Sequence, residues 1–144
     1  MQTLAIKART MQFVAHSGHN LTTGSSFFGD HSALGGLYET YTKLYDLIVE
    51  RMISVGEEAK PLSLTLEAAN AAMLVEETNK ADEIFAELAF LEIELRGLCR
   101  KYLDQEENIS VGVKNLVEQI ASDSEDRSYK LGQRLANTQT KKKA

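Results

Sequence analysis

Residues 18–57 read GHNLTTGSSFFGDHSALGGLYETYTKLYDLIVERMISVGE, and this stretch decides the fold. It opens beside His19, turns near Gly24, and then runs without a proline through Leu34, Leu37, Tyr38, Tyr41, Leu44, Tyr45, Ile48 and Met52. Apolar residues recurring at three- and four-residue steps line one wide face of an α-helix. Ser25 or Ser26 is the expected N-cap, Asp30 suits the positive end of the helix dipole, and Gly56 is the expected stop after Val55.

Working outward, Leu4, Met11, Val14 and Ala15 predict a first helix from about Thr3 to Asn20. Between Glu57 and Asn79 the pattern weakens. Pro61 reads as a breaker there, and a short helix is expected from about Leu66 to Leu74. A third long helix is expected from Lys80 to Leu103 and a fourth from Val111 to Asn137, each with its own apolar face. A connection as long as the one after Gly56 normally crosses from one end of a bundle to the other. The expected fold is therefore all-α, a four-helix bundle with a short helix in the long crossover between the second and third long helices. Residues 1–137 form the bundle, and 138–144 form a basic, disordered tail.

Composition narrows the function. With 144 residues, 43% of them hydrophobic, the chain can bury one sizeable core. A single proline leaves long helices uninterrupted. No apolar run approaches the roughly 20 residues of a membrane span, and the first residues lack a signal peptide's apolar core, so a cytoplasmic protein without a membrane partner is expected. The lone Cys99 has no second cysteine to pair with, which suits a reducing compartment and a packing role. A formal net charge of −5 argues against a body that binds nucleic acid over its whole surface, although Lys141, Lys142 and Lys143 make a basic tip.

The chemistry-bearing residues are His19, His31, Asp46 and Glu50. Asp46 and Glu50 stand four apart and share a helix face. On their own they are an ordinary solvated acidic pair. His31 precedes Asp46 on the same expected helix, and fifteen residues of helix at about 1.5 Å each separate them by roughly 22 Å. If the four groups form one metal site, the acids must come from a second copy across a two-fold axis. Mixed imidazole and carboxylate ligands suit iron, zinc or manganese, with iron favoured where open positions remain for an oxidant.

This stretch resembles the Dps mini-ferritins, the DNA-protection-during-starvation proteins of the ferritin-like superfamily. His19, Gly24, Phe28, His31, Asp46, Glu50, Arg51 and Gly56 match that family's signature in type and spacing. The likeness is strong over residues 10–58 and continues weakly to about Asn137. It implies a ferritin-like bundle assembled into a hollow dodecamer, and a ferroxidase activity that oxidises ferrous iron with hydrogen peroxide and stores the ferric mineral. It also implies that His19 and His31 of one subunit, with Asp46 and Glu50 of its two-fold mate, are the iron ligands and catalytic residues, with no organic cofactor.

Two departures stand out. Gly35 occupies the place where many relatives carry a further acidic ligand, and Asn20 replaces the usual tryptophan beside the first histidine. Tyr38, Tyr41 and Tyr45 are the aromatic residues nearest in sequence, and core packing is the expectation for them. His16 reads as a surface or core-edge histidine. Glu83, Glu87, Asp123, Glu125 and Asp126 are candidate carboxylates for an iron-conducting pore. Many relatives bind DNA through a lysine-rich tail, and here Lys141, Lys142 and Lys143 would make those contacts. The competing expectation, favoured by Gly35 and Asn20, is a non-enzymatic shell that binds or compacts DNA and whose metal site has weakened or been lost.

Overall fold

The computed structural model describes residues 1–105 and 107–142, with side chains as far as 136. The described residues form five α-helices and no β-strand: α1 (Gln2–Leu21), α2 (Phe27–Ser54), α3 (Pro61–Ala72), α4 (Ala81–Gln105) and α5 (Val111–Lys142). Two compact units divide the chain, residues 1–84 and 85–144. No helix among the described residues is long and apolar enough to cross a membrane.

The long helices fall where the apolar periodicity predicts them, and the clearest difference is α3. Pro61 does not break this helix but opens it, in the first turn. Proline fits there because the first helical amide has no intrahelical acceptor and the ring presets φ. At the other end of the chain, α5 continues past Asn137 to Lys142. Of the three lysines expected to contact DNA, Lys143 lies outside the described residues, as do the side chains of Lys141 and Lys142.

In the first unit α1 and α2 form an antiparallel hairpin. The Arg9 guanidinium lies 3.9 Å from the centre of the Tyr45 ring toward one end, and His19 stacks on His31 at the other. Gly24 makes the link with φ at 112°, a conformation that side chains resist. Leu4, Ala8, Met11 and Ala15 of α1 are buried, as are Leu34, Tyr41, Ile48 and Met52 of α2. α3 runs alongside α1 in the same direction: Gln2 donates to the carbonyl of Glu58, and Thr10 to that of Ala68. The chain thereby returns to the Gly24 end, where the amide of Thr23 donates to the carbonyl of Asn79 at 3.1 Å. The first turn of α4 then packs so closely on α1 that a Cβ at Gly18 would lie 2.5 Å from Ile84 Cγ2.

In the second unit α4 and α5 run antiparallel around a buried charge. Glu92 is fully buried. Its carboxylate accepts from Arg127 Nε at 2.5 Å, from Arg127 Nη2 at 3.1 Å and from the Ser124 hydroxyl at 2.6 Å. Arg96 Nη1 adds bonds to the Ser124 carbonyl and to the Ser128 hydroxyl. Several short, charge-assisted bonds compensate the loss of water around this carboxylate. Leu88, Leu95 and Val117 are buried in the same unit. Cys99 is buried as well, and desolvation pushes its thiol up to about 11.

Glu92→Ala leaves Arg127 without its carboxylate and is expected to cost about 3–5 kcal/mol in urea unfolding. Glu92→Gln keeps the shape and is expected to cost less; a loss below about 1 kcal/mol in both would show that the network does not hold the pair. Cys99 at pH 8 is expected to react with a disulfide reagent about 100-fold more slowly than an unhindered thiol, from its smaller thiolate fraction alone. Above pH 9 the same shift lowers stability, because the unfolded chain releases the thiol proton before the folded one does.

Candidate metal centre

The centre is built where a helix ends. The last carbonyls of α1 have no intrahelical donor of their own and need partners. Gly18 finds one in the amide of Thr22, at 2.9 Å. The carbonyl of His19 takes the Nδ1 of His31 at 2.8 Å, and the Nδ1 of His19 reaches the carbonyl of His31 at 2.9 Å. A carbonyl oxygen only accepts, so each Nδ1 carries a hydrogen, which leaves Nε2 as the ring atom that can offer a lone pair to a metal. Such a bond from the far ring nitrogen to a backbone carbonyl is how metal-binding histidines are oriented.

The two half-buried rings stack with centroids 3.7 Å apart and planes 24° apart. An imidazole binds a metal in its own plane, about 2.1 Å from the nitrogen. Planes this nearly parallel do not meet at that distance, so the pair could serve two neighbouring ions, or a single ion only if one ring turned. Phe27 stacks on the outer face of His31 at 4.9 Å. On the other side His16 lies 6.5 Å from His19 and stacks on Tyr38 at 4.3 Å.

Gly35 proves to be part of this arrangement. A Cβ there would come within 3.2 Å of both Cε1 and Nδ1 of His19, closer than ordinary contact. The residue that removes an expected carboxylate therefore also gives His19 room to reach the His31 carbonyl. Asn20 is exposed. Tyr41 and Tyr45 are buried, and the Tyr45 hydroxyl donates to the Pro61 carbonyl, as a packing role requires. Tyr38 is instead half-buried against His16.

The acids are elsewhere. α2 is one unbroken helix from Phe27 to Ser54, and Asp46 and Glu50 lie exposed toward its far end. Among the described residues of the single chain, no three histidine, cysteine or acidic side chains converge as a metal would require. The chain thus brings His19 and His31 together and keeps Asp46 and Glu50 apart from them. Of the pore candidates, Glu83 is engaged by Lys80 at 2.8 Å and by Thr78, and its carboxylate raises the Lys80 ammonium above its ordinary value. Asp123, Glu125 and Asp126 are exposed and Glu87 is half-buried. The reciprocal histidine bonds were not foreseen from the sequence. Their one trace there is a glycine four residues after His31, on the same helix face.

Gly36 offers the matched control for Gly35, since nothing lies within 4 Å of a Cβ built there. Gly36→Ala is expected to raise stability by about 0.5–1 kcal/mol through helix propensity. Gly35→Ala is expected to lose that gain and to weaken cobalt(II) binding by displacing His19. Equal stabilisation and unchanged metal binding in the two variants would show that the His19 seat is not tight. Comparison of the chain with protein-family models, with curated proteins and with solved structures finds no match.

Proposed function

We propose that the protein is a ferroxidase and iron-storing mini-ferritin: a ferritin-like bundle in a cytoplasmic homo-oligomeric shell, a dodecamer by resemblance, that oxidises ferrous iron with hydrogen peroxide. The observation that carries the reading is the reciprocal bonding of His19 and His31, which engages both Nδ1 atoms and leaves two Nε2 atoms to serve as ligands. The exposed Asp46 and Glu50 support a second chain as the source of the acids, because their own α2 holds them far from His31. Leu47 and Ile53, exposed beside them, supply apolar surface of the kind that association buries.

Iron is the substrate. The balanced reaction takes two ferrous ions, one peroxide and two waters to two ferric oxyhydroxide units and four protons. Peroxide accepts one electron from each iron, and its O–O bond breaks. The imidazoles hold ferrous iron without adding charge, and the carboxylates favour the more highly charged ferric product. Phe27 and Tyr38 bracket the histidine cluster and limit how far the rings swing. Consuming ferrous iron and peroxide together removes both ingredients of hydroxyl-radical formation.

The inter-subunit arrangement makes a prediction that a single-chain site does not. His31→Ala and Asp46→Ala/Glu50→Ala are each expected to reduce peroxide-driven ferric formation to the protein-free background. Co-assembly of equal amounts of the two variants is expected to restore roughly one quarter of the wild-type rate, since half the dimers are mixed and each mixed dimer keeps one intact site. Stopped-flow absorbance of ferric iron reads the rate, and light scattering reads the oligomer. No recovery on co-assembly, with dimers or larger species present, would sink the shared site.

A further inference from the structure

A second group of metal-ligating side chains lies outside the histidine pair. A surface cleft of about 360 Å³ is lined by Phe13, His16, Ser17, Asn20, Leu21 and Glu77. The first five recur at helical spacing, so one face of α1 makes one wall, and Glu77 contributes from the connection between α3 and α4. Two of the donors are already held in place. His16 lies parallel on the Tyr38 ring, at 4.3 Å and 15°, and the Ser17 hydroxyl donates to one oxygen of Glu77 at 2.9 Å. Asn20 brings an amide oxygen from the same wall as His16, one helical turn on. None of the lining residues is a lysine or arginine, and Arg9, whose guanidinium lies 6.0 Å from the Phe13 ring, donates to Gln12.

We propose that this cleft is a second divalent-cation site, distinct from the His19–His31 pair, in which His16 and Glu77 are direct ligands and water fills the remaining positions. One imidazole and one carboxylate, with an amide oxygen nearby, form a nitrogen–oxygen set suited to a borderline transition metal such as ferrous iron, cobalt(II) or zinc. The cleft is large enough for a partly hydrated ion, given that a water molecule occupies about 30 Å³. Its position on the surface makes the ion exchangeable. Because His16 and His19 are one helical turn apart, an ion held in the cleft is a near neighbour of the histidine pair. The site is inferred from this wall of α1 and from Glu77, and it stands whether or not the histidine pair oxidises iron.

Cobalt(II) under argon is the probe, and the parent is the assembled protein carrying Asp46→Asn/Glu50→Gln, in which the two carboxylates proposed to hold iron are removed and α1 is untouched. In equilibrium dialysis, His16→Gln and Glu77→Gln are each expected to weaken one cobalt equivalent per chain at least tenfold. Ser17→Ala, which frees the Glu77 carboxylate, is expected to weaken it a few-fold. Circular dichroism checks that the fold is kept, as the exposure of His16 and Glu77 leads one to expect. Anomalous diffraction at the cobalt edge is expected to place an ion between His16 and Glu77. Weakening in only one of the two variants, in neither, or anomalous density confined to His19 and His31 overturns the proposal. Ferric formation is the readout of the iron-oxidation reading and does not enter this test, so the two can fail separately.

Discussion

The paired bonds between the imidazoles and carbonyls of His19 and His31 tie the local fold to its chemistry. A helix must end with unpaired carbonyls, and α1 ends against α2, where water is partly excluded. Each bond contributes only about 0.5–1.5 kcal/mol net, but leaving the His19 carbonyl, at the end of α1, buried and unmet would cost about 1–3 kcal/mol. The side chain that satisfies a helix end is thus fixed in one tautomer, with its other nitrogen directed away. The same hydrogen atom would serve both structural need and the proposed ligand geometry.

The straightness of α2 supplies the complementary constraint. A helix that runs unbroken from Phe27 to Ser54 cannot fold Asp46 and Glu50 back onto its own first turn. Either the acids are ordinary surface charge or they act on another molecule. Their setting bears on that choice, because Leu47 and Ile53 are exposed between and beyond them, and Leu62 and Leu66 of α3 are exposed as well. Scattered apolar residues are ordinary on a protein surface, whereas a contiguous patch of them marks an interface.

The periodicity of apolar residues made the long helices legible to within a few residues, because burial on one face leaves a direct imprint on spacing. The local rules around Pro61 did not decide in the same way. Proline both ends helices and begins them, and the surrounding Leu62, Leu64 and Leu66 fit either reading. In the centre, His19 and His31 could be paired across a hairpin from their places in the sequence, since the link at Gly24 is short. Their mutual bonds could not, because a side-chain bond to a distant carbonyl leaves no pattern in residue type. Glu92 was missed for a related reason: a fully buried glutamate looks like any other helix-surface acid until Arg127 and Ser124 are seen around it.

Gly35 shows how one residue can change sense between sequence and structure. By resemblance it is an absent ligand, whereas in the fold it is the gap that lets His19 seat against α2. Both descriptions bear on the charge of the proposed centre. Two neutral imidazoles and two carboxylates carry a formal charge of −2, enough to balance one ferrous ion but not two. The stacked rings nevertheless lie in separate planes, so the proposed centre would take two ions more readily than one. A second ferrous ion would then arrive under-compensated and be held weakly until hydroxide or peroxide supplied the missing negative charge. In the proposed centre, a glycine at position 35 would couple occupancy of that second position to the oxidant, because no carboxylate can be offered from there.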